Sequence, residues 1–307
     1  MGIPDSRSVC GWSGNAKVIL WHLACLCNCR AMRRAGEERR RALASARCGG
    51  YPCRLPRRRL LIMKTVHLDT MPIPGAELSA FLHDVSHLSL AEAPGMAAMH
   101  CRFRIAAYDD AWFGALGVAR PDTLARAVPK RKAEYLAARY LCQLLLAERG
   151  LPTAVGSGQH RQPLWPEGWT GTITHSDETA VVALAPSGEG LMLGLDLERW
   201  MSDKTADNVH EGILVPGERE ALAGPWPFPH ALTLAFSAKE TLFKALYPRV
   251  GQYFDFNAAE MTRVDWDAGR FSIRLLKTLA PGLEAGRAFD GSFHLRDGQV
   301  LTLIAAF

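Results

Sequence analysis

Gly194-Leu195-Asp196-Leu197-Glu198 and, further along, Phe236-Ser237-Ala238-Lys239-Glu240-Thr241-Leu242-Phe243-Lys244 are the two stretches that organise this chain. Leu191 to Leu197 is apolar enough to form a buried strand. Side chains alternate across a strand, so Asp196 and Glu198 project from one face and Leu195 and Leu197 from the other. Two neighbouring acids repel each other unless a cation or a proton lies between them. A third acid, Glu240, falls on a predicted helix and can close the site. Carboxylates with open positions suit Mg²⁺, which takes a few protein oxygens and keeps water and substrate phosphates. Lys239 and Lys244 would then face those phosphates.

Each residue also has a plainer reading. Asp196 can be a solvated acid at a strand end, although an unpaired charge in an otherwise apolar strand is costly. Glu198 can pair with Arg199 at the surface. Ser237 and Glu240 have the spacing of a capping box, with Ser237 as N-cap of a helix from about Ala238 to Leu246 that stops before Pro248. Lys239 and Lys244 can be ordinary helix-surface lysines, with Glu240 and Lys244 an i,i+4 pair.

The chain has 307 residues, 48% hydrophobic and 22% charged, which is long enough for one large or two small domains. Its net charge of +5 misleads, because residues 1–62 hold 13 of the 36 Lys and Arg but only 3 of the 31 Asp and Glu. The rest of the chain is mildly acidic, with 23 basic and 28 acidic residues. The leader also holds Cys10, Cys25, Cys27, Cys29, Cys48 and Cys53, six of the eight cysteines. Their spacing does not match Cys-x₂-Cys metal knuckles. Arg39–Arg41 and Arg57–Arg59 offer charge for nucleic acid or anionic lipid. Val18 to Leu26 is too short to span a bilayer, and the strongest positive charge follows it where a signal peptide needs it to precede. Residues 1–62 therefore read as a disordered extension, or as the product of a start codon placed too far upstream. Met63-Lys64 opens the body.

Within the body, Met99 to Ala107 and Ala115 to Val118 read as strands. Ala133, Leu136, Ala137, Tyr140, Leu141, Leu144 and Leu145 recur at helical spacing after Pro129, and Gly150 and Pro152 end that helix. Thr172-Ile173-Thr174-His175 is β-prone. Thr179 to Ala185 reads as a strand pairing antiparallel with the strand that ends at Glu198, across the Pro186–Gly190 turn. The C-terminal part is β-rich, with a tight hairpin turn at Asp297-Gly298.

Together, the two motifs resemble the signature of the 4′-phosphopantetheinyl transferase superfamily. Arg161-Gln162-Pro163-Leu164-Trp165-Pro166, Gly171-Thr172-Ile173-Thr174-His175 and Lys130-Arg131-Lys132-Ala133-Glu134-Tyr135-Leu136-Ala137-Ala138-Arg139 are similar to the branch that activates enterobactin synthase. The likeness runs from about Met63 to the C-terminus. It implies an α+β fold: a pseudo-dimer of two similar halves, 63–188 and 189–307, each with an antiparallel sheet and a long helix.

The resemblance also implies a reaction. The phosphopantetheine arm of coenzyme A moves onto a serine of an apo carrier protein, a peptidyl or aryl carrier of a nonribosomal peptide synthetase serving siderophore assembly. Mg²⁺ would be held by Asp196, Glu198 and Glu240, with Glu240 the favoured base and Lys244 on the coenzyme A phosphates. Lys130, Arg131, Arg139, Arg161, Thr174, His175 and Lys239 would complete the coenzyme A contacts. Arg161 would substitute for the Lys-Pro lysine of distant relatives, and Thr174 for the usual serine. The expected location is cytoplasmic, with no membrane span and no nucleic-acid partner. Two other readings of the residues are a metal-dependent phosphodiesterase or nuclease built from the same acids, and a nucleic-acid binder led by the arginine-rich leader.

Overall fold

The computed structural model describes residues 65–66, 76–90, 95–188 and 190–307, so the readings placed on residues 1–62 lie outside the described residues. The first half runs β1 (Thr65–Val66), α1 (Ala76–Phe81), β2 (Leu82–Leu88), β3 (Ala97–Phe103), α2 (Trp112–Ala115), α3 (Pro129–Ala147), β4 (Gly156–Ser157), β5 (Pro163–Leu164), β6 (Trp169–Ser176) and β7 (Thr179–Pro186). The second runs β8 (Met192–Arg199), α4 (Asp203–Ile213), α5 (Glu218–Ala221), α6 (Phe228–Val250), β9 (Ala259–Asp265), β10 (Arg270–Leu275), β11 (Ala288–Arg296) and β12 (Gln299–Ala306). Each half holds one five-stranded antiparallel sheet, in the orders β1-β2-β3-β7-β6 and β8-β12-β11-β10-β9; β4 and β5 form a small separate hairpin. One long helix packs on each sheet, α3 on β3 and β7, and α6 on β8 and β12. This is the pseudo-dimeric α+β arrangement that the family resemblance implies.

The apolar spacing of α3 buries Ala133, Leu136, Ala137, Leu141 and Leu145 against the sheet. Pro129 stands in the first turn, where its missing N–H is not needed, and Gly150 leaves the helix at φ +64°. Asp297 and Gly298 both take positive φ, +51° and +78°, which gives the hairpin turn between β11 and β12 the backbone that Asp-Gly favours.

Three expectations need correction. β7 and β8 do not pair: β7 lies between β3 and β6, while β8 pairs with β12, Asp196 opposite Thr302 and Glu198 opposite Val300. The Pro186–Gly190 turn carries the chain from one sheet to the other. Residues 115–118 are not a strand: they leave α2 through Gly117 at φ +64°, and the Val118 N–H closes on the Phe113 carbonyl. Finally, α6 spans Phe228–Val250, so Ser237 is mid-helix and does not cap it. Pro227 is the N-cap and Pro229 sits in the first turn, so these prolines start the helix. Pro248 falls in its last turn, and Gly251, at φ +67°, caps it.

The sheets meet along their edges. β6 ends one sheet and β8 ends the other, so the outward N–H groups of β8 need acceptors. Leu195 N donates to Thr172 Oγ1 (3.2 Å) and Leu197 N to Thr174 Oγ1 (3.1 Å). Val181, Ala183, Leu195, Leu197, Leu301 and Leu303 fill the apolar seam. On the other face of β8, α6 closes over Gly194. A Cβ there would overlap the Thr241 carbonyl oxygen and stand 2.8 Å from Ala245 N, both backbone atoms that cannot swing aside. Gly194→Ala is expected to lower unfolding stability by about 1–3 kcal/mol, the range for overpacking, and to reduce activity by pushing α6 off β8. Gly114→Ala, with nothing within 4 Å, is the neutral comparison in chemical denaturation.

Candidate functional site

Asp196 is the centre of the site. It is 4% exposed on β8, between the seam and α6. Its Oδ1 accepts from Lys244 Nζ (2.7 Å) and Thr174 Oγ1 (3.1 Å), and its Oδ2 accepts from Ser237 Oγ (2.9 Å). Ser237, Glu240, Thr241 and Lys244 fall at i, i+3, i+4 and i+7 on one face of α6. That spacing is why one helix can bring a hydroxyl, an acid and an ammonium to the same strand.

Glu198 follows on the same face of β8, half-buried. Burial pushes its carboxyl well above the ordinary range, and the charges of Asp196, Glu240 and Asp177 push it further; Lys244 pulls it back. The two neighbouring acids thus behave as their spacing requires, with a proton favoured where no cation separates them. Among the described residues, no three His, Cys, Asp or Glu side chains are arranged to hold an ion by themselves. What stands on Asp196 is the Lys244 ammonium, 2.7 Å from Oδ1.

Across the seam, the N-terminal end of α3 supplies the cations. Arg131 Nη1 lies 3.0 Å from His175 Nε2, and a guanidinium can only donate, so Nε2 accepts and the ring proton is on Nδ1. Nδ1 lies 3.7 Å from Glu134, whose carboxylate also faces Lys130 (3.9 Å) and Arg131 (3.8 Å). Burial pushes the Glu134 carboxyl up, against the two cations. Burial, then Arg131, Lys244 and Lys130, push His175 down to about 3. The imidazole is therefore neutral at physiological pH.

That shift has a measurable sign. The unfolded chain, with an ordinary histidine near 6.5, binds a proton that the folded ring refuses until about 3, so stability is lost as pH falls through that window. His175→Gln keeps an acceptor for Arg131 without a titrating ring. It is expected to show a smaller drop in melting midpoint between pH 7 and pH 5 than the parent.

Several residues sit elsewhere than the sequence implies. Lys239 is the main correction. Its side chain is 1% exposed and turned away from the acids, with Nζ donating to Glu218 Oε2 (2.8 Å), Ile213 O (2.8 Å) and Phe256 O (3.2 Å). An ammonium has three protons, and all three are taken, so none remains for a phosphate. Arg139 is 7% exposed beneath the β4–β5 hairpin, bonded to Gly156 O (3.3 Å) and Ser157 Oγ (3.0 Å) and lying over the Tyr135 ring. Arg161 is exposed in the turn of that hairpin at φ +65°.

Conversely, Thr241 and Glu134, which lie inside the quoted motifs without a role read for them, and Thr302, which lies outside them, join the polar clusters. For Thr302 the signal is faint but present: it is the lone hydroxyl in the apolar run Val300–Ile304.

Comparison with known proteins fits this geometry. Residues 120–185 match the 4′-phosphopantetheinyl transferase N-terminal domain, and residues 192–297 match the 4′-phosphopantetheinyl transferase superfamily domain. The chain is 40% identical over 186 residues to enterobactin synthase component D of Salmonella typhimurium, covering 60% of this chain and 76% of that protein. It is 39% identical over 190 residues to the 4′-phosphopantetheinyl transferase Svp of Streptomyces mobaraensis (59% and 75%), and 32% identical over 199 residues to the transferase Npt of Nocardia iowensis (61% and 87%). The second matched segment contains Asp196, Glu198, Glu240 and Lys244; the first contains Lys130, Arg131 and His175. With both halves matched in order around one seam, this chain belongs to the 4′-phosphopantetheinyl transferase superfamily, enzymes that move phosphopantetheine from coenzyme A to carrier proteins.

Proposed function

We propose that the acceptor is a serine of an apo peptidyl or aryl carrier of a nonribosomal peptide synthetase, in siderophore assembly of the enterobactin type. We further propose that the reaction depends on Mg²⁺ held by Asp196, Glu198 and Glu240. The observation that carries this is the set of acids at the seam: Asp196 and Glu198 stand on one face of β8, and burial, then the charges of Asp196 and Glu240, push the Glu198 carboxyl up. Hard oxygen donors of this kind suit one divalent cation that keeps part of its shell for water and phosphate. When bound, Mg²⁺ supplies charge neutralisation on the pyrophosphate of coenzyme A.

The chain's own residues do the rest. Asp196 is fixed in place by three donors. Lys244 places an ammonium beside the transferring group. Glu240, half-buried on the same helix face, accepts the proton of the incoming serine hydroxyl. Lys130 and Arg131, at the positive end of α3, bind the nucleotide phosphates of coenzyme A, with neutral His175 orienting Arg131. Arg161, exposed in the turn of the β4–β5 hairpin, is proposed as a further contact to coenzyme A. The nucleophile comes from the partner. Among the described residues no helix is long and apolar enough to cross a membrane, and we assign the enzyme to the cytoplasm, where coenzyme A and the synthetases meet.

Mass spectrometry tests the proposal. Protein, coenzyme A, Mg²⁺ and an apo peptidyl carrier should give a carrier heavier by one phosphopantetheine arm, lost with a chelator and restored by Mg²⁺. Hydrolysed coenzyme A with an unmodified carrier would favour a phosphodiesterase instead.

A further inference from the structure

Behind Asp196 runs a chain of hydroxyls that the transfer itself does not touch. Ser237 Oγ, donor to Asp196 Oδ2, lies 2.8 Å from Thr302 Oγ1, which lies 2.6 Å from Thr241 Oγ1. Ser237, Thr302 and Thr241 are all fully buried. A hydroxyl has one proton to give. Ser237 gives its proton to Asp196, so Thr302 donates to Ser237, and Thr241 donates to Thr302. Every O–H dipole in the chain points toward the carboxylate. The series alternates between elements: α6, β12, α6 and then β8, where Thr302 stands opposite Asp196 in register.

A mid-helix serine ordinarily returns its hydroxyl to a carbonyl one turn back. Ser237 does not: its proton goes to Asp196, and Thr302 donates to its oxygen from behind. The consequence is a division of labour on Asp196. Oδ2 is held from behind by the hydroxyls, while Oδ1 faces Thr174 and the more open Lys244 side.

We propose that Thr302 is a positioning residue for the transfer reaction: through Ser237 it fixes the plane of the Asp196 carboxylate and so presents its front oxygen to the cation. This rests on the reading of Asp196 as a cation ligand. Outer-shell partners of metal ligands characteristically change affinity or activity by 10- to 100-fold.

Thr302→Val keeps the side-chain shape and removes the hydroxyl. Thr241 is not stranded, because its hydroxyl already lies 3.3 Å from the residue-302 carbonyl. The test is binding of Mn²⁺ in the presence of coenzyme A, followed by the paramagnetic resonance of the free ion, beside kcat and KM. Thr302→Val is expected to weaken Mn²⁺ by about tenfold and to leave the KM for the carrier unchanged. Thr302→Ser should restore affinity to within about twofold, and Thr302→Val should add nothing in a Ser237→Ala background. Parental affinity in Thr302→Val, or equal impairment in Thr302→Ser, would overturn the proposal. Should Thr302→Val fail to fold, Thr241→Val takes its place: a two- to threefold weakening supports the chain, and no change overturns it. Asp196→Ala separates the two layers. If it binds Mn²⁺ like the parent, the cation reading itself falls; if it does not bind while Thr302→Val is normal, only the hydroxyl chain falls.

Discussion

Asp196→Asn is expected to lower the rate of carrier modification on the order of 10³-fold while leaving the protein folded. Asparagine matches aspartate in shape, and its carbonyl oxygen can accept from Thr174 and Lys244 as Oδ1 does. Its amide would face Ser237 Oγ, which can accept a second hydrogen bond beside the one from Thr302. The packing and most of the hydrogen bonds therefore survive, and what is lost is the full negative charge. A metal-centred phosphoryl transfer draws several kcal/mol of transition-state stabilisation from such charge, and each 1.36 kcal/mol is a factor of ten. Single-turnover mass spectrometry of the carrier reads the rate, and a melting curve reads the fold. Near-parental transfer at all Mg²⁺ concentrations would remove Asp196 from the cation shell. Glu198→Gln should cost less, because that carboxyl is only half-buried where Asp196 is buried.

Much of this arrangement is legible in the chain because local rules and tertiary needs agree. The alternation in 194–198 places Asp196 and Glu198 on one face, and the periodicity after Pro129 yields α3 with its buried face correctly chosen. Asp297-Gly298 makes the turn its residues prefer.

The failures are of two kinds. Strand partners are long-range facts: nothing in 179–198 says that β8 leaves β7 for the last strand of the chain, and Asp196 meets Thr302 only because of that choice. The second kind is a local motif that tertiary structure reuses. Ser237–Glu240 has capping spacing, yet a run of apolar residues upstream extends α6 to Phe228, and the serine hydroxyl is drawn to Asp196. Resemblance brings the whole motif to the site, while geometry assigns its members separately. Glu240 and Lys244 lie one helical turn apart on the strand-facing side of α6, and Lys239, next to Glu240, is rotated away.

Lys239→Met therefore is expected to act on stability, by about 3–5 kcal/mol, the range for removing one partner of a buried ion pair. Glu218, fully buried, would keep only the Val215 N–H (2.8 Å) and the Met261 N–H (2.6 Å), and the Ile213 and Phe256 carbonyls would lose their donor. Burial already holds the lysine below its ordinary pKa, a sign that the pair exists against a desolvation penalty that Glu218 offsets. The ammonium gathers the end of α4, the start of α5, Phe256 and, through Glu218, β9 against the motif helix. Its loss is a large part of a stability that for domains totals roughly 5–15 kcal/mol.

Lys239→Met with Glu218→Gln removes both charges while keeping an acceptor for one backbone N–H, and should recover part of the midpoint in urea. The two largest effects then separate cleanly. Asp196→Asn gives folded, inactive protein, and Lys239→Met gives less folded protein whose folded fraction turns over normally with an unchanged KM for coenzyme A. A stable Lys239→Met with a raised KM for coenzyme A would return this lysine to the phosphates, and would mean that α6 turns about its axis when the substrate binds.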